Sequence, residues 1–105
     1  MLFSMPLIEI KALAALPPGS LAQVHLNGAD YALCNHDGAL RCFDGICPHA
    51  GGPLGEGNLD GQNIVCPWHA WAFDCLTGVN DFDPDIQLKS YPLLVRDGSI
   101  FVELP

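Results

Sequence analysis

The chain has 105 residues, half of them apolar and only 15% charged, which fits one compact domain over residues 1–105 and argues against disorder. Twelve acidic and four basic residues give a formal net charge of −8, which repels phosphate backbones and excludes nucleic acid as a good partner. The N-terminus lacks a basic leader region and no stretch approaches the roughly 18 apolar residues of a membrane span, so we expect a soluble, cytoplasmic protein.

Short β-strands are predicted along the first half of the chain. We expect a first strand within residues 1–11 and a helical turn within residues 10–16 that stops at Pro17. Three short apolar runs then predict strands, at residues 21–26, 31–35 and 39–43. Asn27-Gly28 and the turn at residues 36–38 connect them as hairpins.

A further hairpin is predicted near the C-terminus. Residues 91–95 and 99–104 flank Asp97-Gly98, which is a favoured two-residue turn. The resulting pattern is all-β, with short antiparallel strands packed as a small sandwich or a partly open barrel. Residues 44–85 are the exception, because they are rich in Gly, Pro, His and Cys and show little alternation. A long irregular stretch inside a compact domain is usually functional.

This irregular stretch contains two pairs of metal-ligating residue types. Cys47 and His49 are one residue apart, Cys66 and His69 are two apart, and sixteen residues separate the pairs. Each pair can converge from one tight loop, so two loops would supply four ligands. Two sulfur and two nitrogen donors suit either zinc or an iron–sulfur cluster. Structural zinc sites typically use Cys-x₂₋₄-Cys or His-x₃₋₅-His spacing, which these pairs do not match.

The two pairs and their neighbours resemble the Rieske family. The motif is Cys-x-His-x₁₆-Cys-x-x-His. Residues 51–54 follow its first Cys–His pair, and Phe73-Asp74 and Thr77-Gly78 follow its second pair. The resemblance implies a Rieske-type domain with an irregular two-loop cluster-binding subdomain at about residues 44–85. It also implies one [2Fe–2S] cluster, with two cysteines on one iron and two histidines on the other. The implied ligands are Cys47, His49, Cys66 and His69.

The resemblance also suggests where the reduction potential lies. High-potential members of the family carry a disulfide between the ligand loops, and the matching positions here are Gly52 and Trp68. Those members use Ser and Tyr hydroxyls as hydrogen-bond donors to sulfur, where this chain has Trp71 and Phe73. Fewer donors stabilise the reduced cluster less, so we expect the low end of the Rieske range of about −150 to +300 mV.

Rieske-type ferredoxins pass single electrons from a flavin-dependent ferredoxin reductase to a terminal oxygenase, and the resemblance implies this role here. A mononuclear iron site needs two histidines and a carboxylate. Beyond the ligand set the chain has only His25, on a predicted strand, and His36, in a predicted turn, with no partnering motif, so we expect no catalytic activity of its own. One alternative within the family is the small subunit of an NAD(P)H-dependent nitrite reductase. Another, of a different class, is a zinc-stabilised interaction module.

Other notable residues have structural interpretations. Three further cysteines, Cys34, Cys42 and Cys75, are expected to be free buried thiols. Trp68 and Trp71 either shield the cluster, form part of a docking face, or simply pack beneath a loop. The acidic run at residues 81–85 is more readily a solvated loop than a calcium site or a docking patch.

Overall fold

A computed structural model describes residues 7–104 of the chain. It contains ten β-strands: β1 (Leu7–Ala12), β2 (Leu21–Leu26), β3 (Ala29–His36), β4 (Ala39–Asp44), β5 (Asn58–Asp60), β6 (Asn63–Val65), β7 (Ala72–Asp74), β8 (Ser90–Tyr91), β9 (Leu93–Arg96) and β10 (Ser99–Glu103). Two short 3₁₀ helices, Leu13–Ala15 and Leu54–Glu56, lie between strands. The part of the predicted first strand that covers residues 1–6 lies outside the described residues. No helix among residues 7–104 is long and apolar enough to cross a membrane.

The strands form three antiparallel sheets that do not close into a barrel. Their orders are β1-β10-β9, β2-β3-β4-β8 and β5-β6-β7. The hairpin turns fall at Asn27-Gly28, Asp37-Gly38 and Asp97-Gly98, and all six of these residues have positive φ. The prediction of an all-β fold built from short antiparallel strands is therefore confirmed.

The four-stranded sheet is the central layer, as β3 shows. Residues 31–35 of β3 are all buried, because alternate side chains on a strand point to opposite faces and both faces are covered. Tyr31 and Leu33 pack with Ile100 of the β1-β10-β9 sheet. Ala32 and Cys34 point the other way, into a second core. This second core includes Ile64 and Phe73 of the third sheet and two residues of the candidate site, Cys47 and Cys66.

The third sheet was not predicted. Its strands have only three residues each, too short for an alternating pattern to be recognised. The register pairs Leu59 with Ile64 and Ile64 with Phe73, so apolar side chains from all three strands meet on one face. The sheet gives the cluster-binding region a rigid base.

The cysteines outside the candidate site are free and buried, as expected. The β3–β4 turn has two residues, so Cys34 is opposite Arg41 and Cys42 is opposite Leu33. Cys34 and Cys42 therefore belong to different cores and do not face each other. Cys34 Sγ instead donates a hydrogen bond to the carbonyl oxygen of Cys75, at 3.3 Å.

Because the Cys34 and Cys42 thiols are buried, we expect the folded protein to lose stability at alkaline pH. Burial, aided by nearby Cys75, raises the pKa of Cys34 to about 12, and burial, aided by the charge of Asp44, raises that of Cys42 to about 12. An unfolded thiol loses its proton near pH 9, so between pH 9 and 12 the unfolded state binds fewer protons than the folded state. The free energy of unfolding should then fall by up to about 1.4 kcal/mol per pH unit for each thiol.

Urea unfolding at several pH values from 8 to 10.5 measures this slope. A Cys42→Ala variant is the matched control, since it lacks one of the titrating groups. Its slope should be shallower than the wild-type slope by the contribution of one thiol. Identical slopes for the two proteins would contradict the assignment.

Candidate metal centre

The first pair of candidate ligands lies on a tight loop, residues 47–52, which we call the first ligand loop. The loop closes on itself, because the N–H of Cys47 donates to the carbonyl oxygen of Gly52 and the N–H of Gly51 donates to that of Cys47, both at 2.9 Å. Gly51 has a φ of 79°, which a glycine adopts without strain. Ile46 and Pro53 form a β-bridge at the base of the loop.

Gln23 fastens the base of this loop to the central sheet. Its Nε2 donates to the carbonyl oxygen of Gly45 at 2.9 Å, and its Oε1 accepts from the N–H of Gly55 at 2.7 Å. One side-chain amide thus holds both chain segments that flank the first ligand loop. The role of Gln23 could not be predicted from the sequence, because a single glutamine in a strand carries no recognisable signal.

The second pair lies on another closed loop, residues 66–71, which we call the second ligand loop. The N–H of Cys66 donates to the carbonyl oxygen of Trp71 at 2.8 Å. Two consecutive non-glycine residues in this loop have positive φ, His69 at 103° and Ala70 at 58°. Such values are uncommon for residues with a side chain and cost roughly 1–3 kcal/mol each, so the loop holds His69 in a strained conformation.

The two loops bring the four candidate side chains together in two layers. Cys47 and Cys66 are buried, with 1% and 3% of their surface exposed. His49 and His69 are exposed, and their ring centroids are 4.9 Å apart. The sulfur pair therefore lies toward the core, and the imidazole pair lies at the protein surface.

The pKa of Cys66, one of the two buried sulfur groups, is shifted by its surroundings. Burial raises the pKa of Cys66, and the adjacent Cys47 thiol raises it further. The N–H of Trp68 donates a hydrogen bond to the sulfur of Cys66 and lowers the pKa in part. The Cys66 thiol is therefore protonated at neutral pH when no metal is bound. Since a thiolate is the metal ligand, binding a metal at Cys66 would release this proton.

The donor set fits a two-iron cluster better than a single metal ion. Among the side chains of residues 7–104, no three of His, Cys, Asp or Glu converge on one point that could hold a metal ion. A structural zinc ion needs four ligands around one point. A Rieske-type cluster needs only two protein ligands at each of two irons. Two separate pairs, one of sulfur and one of nitrogen, fit the cluster.

Aromatic side chains surround the histidines. The indole of Trp71 lies parallel to the imidazole of His49, with ring centroids 4.2 Å apart and an interplanar angle of 5°. The ring of Phe82 packs edge-on against Trp71, with ring centroids 4.8 Å apart. Trp68 and Phe82 remain exposed, at 50% and 62%. Trp71 is therefore in contact with the candidate site, which goes beyond simple packing beneath a loop.

A buried asparagine holds the loop that carries Phe82. Asn80 Nδ2 donates to the carbonyl oxygen of Ala72 at 3.1 Å, and its Oδ1 accepts from the N–H groups of Phe82 and Asp83 at 3.2 and 3.0 Å. Asn80 is only 4% exposed. These bonds tie residues 80–83 to β7, so Phe82 has a fixed position beside Trp71.

The remaining candidate histidines and carboxylates have other partners. His25 is exposed, with Nδ1 2.8 Å from Asp30 Oδ1, and His36 lies 3.8 Å from Asp37. The acidic run does not form a metal site within the described part of the chain. Asp74 caps the turn after β7, where its Oδ1 accepts hydrogen bonds from the N–H groups of Leu76 and Thr77. Burial tends to raise the pKa of Asp74, but these hydrogen bonds keep that pKa below its ordinary value.

Comparisons with known proteins agree with this geometry. Residues 7–92 match the family described as the Rieske [2Fe-2S] domain. The ferredoxin component of the naphthalene 1,2-dioxygenase system of Pseudomonas aeruginosa is 31% identical over 98 residues, which cover 92% of this chain and 94% of the relative. The ferredoxin of Sphingomonas yanoikuyae B1 superposes with a TM-score of 0.86 at 29% identity, covering 95% of this chain and all of that chain.

A third similar structure is a complex. It is the complex of reduced oxygenase and oxidised ferredoxin in carbazole 1,9a-dioxygenase, in which the matching chain has a TM-score of 0.83 and 28% identity. The match covers 92% of this chain and 92% of that chain.

Proposed function

The chain belongs to the Rieske [2Fe-2S] domain family, and from that premise we propose that Cys47, His49, Cys66 and His69 hold one [2Fe–2S] cluster. The two cysteines would bind the buried iron, and the two histidines would bind the exposed one. The observation that carries the assignment is the layered arrangement of the two pairs, sulfur inside and nitrogen outside. A zinc-stabilised module is less well supported, because no three of these side chains converge on one point among the described residues.

When bound, the cluster supplies reversible one-electron chemistry. The protein gives the proposed site a buried side and an exposed side. Cys47 and Cys66 keep water away from the inner side, whereas His49 and His69 reach the surface. The histidine side is therefore the shortest route for an electron to a docked partner.

The chain transfers electrons to a terminal oxygenase. The relatives reported above are ferredoxin components of dioxygenase systems, and one similar structure is a ferredoxin bound to its oxygenase. These relatives favour the ferredoxin function over that of a nitrite reductase small subunit. We propose a flavin-dependent ferredoxin reductase as the donor, no catalytic turnover in the chain alone, and a location in the cytoplasm, where its cysteines, none of which forms a disulfide, would stay reduced.

The surface around the histidines suits brief docking. Trp68, Phe82 and Ile46 are large apolar side chains that are at least 45% exposed, and Trp68 and Ile46 adjoin the candidate ligands in sequence. The net charge of −8 adds long-range attraction toward a basic partner surface. Redox partners typically form small interfaces, below about 1,200 Å² in total, which such a patch can supply.

Anaerobic titration followed by partner mixing tests the function. Dithionite should reduce the protein with one electron per chain and bleach its visible absorbance. The reduced protein should then transfer that electron to the oxidised oxygenase of the naphthalene 1,2-dioxygenase system, because a related ferredoxin serves that system. A Cys47→Ser variant without cluster is the control. Uptake of two electrons, or of none, would contradict the proposal.

A further inference from the structure

The two ligand loops, both among the described residues, contact each other without backbone hydrogen bonds between them. Each loop is closed by its own backbone hydrogen bonds. Within residues 7–104, however, no backbone hydrogen bond connects residues 47–52 with residues 66–71. Direct contacts between the two loops therefore involve side chains.

Trp71 makes the first of these contacts. It belongs to the second ligand loop, yet its ring lies flat on His49 of the first, 4.2 Å away and within 5° of parallel. The positive φ values of His69 and Ala70 turn the chain back on itself just before Trp71. The strained turn at these two residues thus directly precedes the indole that lies over the first ligand loop.

Trp68 makes the second contact. A Cβ placed on Gly52 would lie 2.9 Å from Cγ and 3.0 Å from Cδ2 of Trp68, so the indole lies directly over the backbone of Gly52. Gly52 is itself buried although it lies in a surface loop. Two tryptophans of one loop therefore cover two residues of the other.

From these contacts we infer that Trp68 and Trp71 form an aromatic clasp, which keeps the two ligand loops closed around the cluster and fixes the orientation of the His49 ring. The inference rests on the proposed ligand set, since it makes Trp71 a positioning residue for His49. Phe82 supports the clasp by packing edge-on against Trp71, and Asn80 fixes the loop that carries Phe82.

The rate of cluster loss tests the clasp. The iron-loaded protein is mixed with excess iron chelator, and the half-life of its visible absorbance is measured. In Trp71→Ala the half-life should fall about threefold to tenfold, the range expected when one aromatic stacking contact is lost. Trp71→Phe keeps a flat ring and should restore most of the half-life. Trp68→Ala should shorten it about twofold to tenfold through the independent contact on Gly52.

The matched control is Phe101→Ala. Phe101 is a partly buried aromatic residue in β10, in the sheet remote from the ligand loops, where it contacts Arg96. Its replacement should leave the half-life unchanged. The EPR spectrum of the reduced protein provides a second measurement: Trp71→Ala should alter it, because the His49 ring is released, whereas Trp71→Phe and Phe101→Ala should not.

The outcomes separate the clasp from the proposed ligand set. A wild-type protein without iron and sulfide would refute the ligand set. A normal wild-type cluster whose half-life and EPR spectrum do not change in Trp71→Ala would refute the clasp alone. Equal shortening in Trp71→Phe and Trp71→Ala, or in Phe101→Ala, would also refute it. If Trp71→Ala takes up no cluster, a normal cluster in Trp71→Phe supports the clasp, and its absence there refutes it.

Discussion

Replacing Gly52 by alanine is expected to abolish or severely weaken cluster binding while the sheets remain folded. The new Cβ would lie 2.9 Å from Cys66 Sγ and 2.9 Å from Cγ of Trp68, closer than real Cβ contacts. Overpacking of this kind typically costs about 1–3 kcal/mol when neighbours can move. Here one neighbour is a proposed ligand atom whose position the metal fixes, so the strain falls directly on cluster binding.

The neighbouring glycine provides the control. Nothing lies within 4 Å of a Cβ placed on Gly51, although its φ of 79° disfavours a side chain. Gly51→Ala should therefore cost about 1 kcal/mol of stability and still bind the cluster. Iron and sulfide content, measured beside far-ultraviolet circular dichroism, distinguishes the two variants. A normal cluster in Gly52→Ala, or equal damage in both variants, would contradict this interpretation.

Removing the His69 side chain is expected to eliminate the normal cluster and to reveal the strain stored in the second ligand loop. Both His69→Ala and His69→Gly lose the proposed imidazole ligand. Only glycine, however, adopts a φ of 103° readily. The cluster-free His69→Gly protein should therefore be more stable than cluster-free His69→Ala by about 0.5–2 kcal/mol, the strain relieved less the chain entropy that glycine loses.

Urea unfolding of the two cluster-free variants under the same conditions measures the difference. Visible absorbance after anaerobic reconstitution measures the cluster. An intact Rieske-type spectrum in either variant would mean that His69 is not a ligand. Equal stability, or greater stability of the alanine variant, would mean that the second loop is not strained at this residue.

Much of the outer architecture is encoded in short-range patterns. Asn27-Gly28, Asp37-Gly38 and Asp97-Gly98 each place residues that tolerate positive φ between apolar runs, and each became a two-residue hairpin turn. The candidate ligands were also recognisable, because Cys–His pairs at this spacing are specific. The fold prediction could therefore be made without any knowledge of long-range contacts.

The features that were missed depend on long-range contacts. Gln23 and Asn80 are ordinary polar residues in the sequence, and their roles appear only when the loops they hold are placed beside them. The β5-β6-β7 sheet has strands too short to show a pattern. The stack of Trp71 on His49 joins residues 22 positions apart in the chain, through a backbone turn at non-glycine residues that no turn rule predicts.

Pulsed EPR of the reduced protein, with histidine labelled by ¹⁵N, tests the central claim most directly. Two sulfide-bridged irons with one cysteine pair and one histidine pair should give a signal with strong coupling to two histidine nitrogens. His49→Ala and His69→Ala should lose this normal signal, whereas His25→Ala should keep both the signal and its nitrogen coupling. A signal without nitrogen coupling, or a protein that contains zinc and gives no signal at all, would contradict the account.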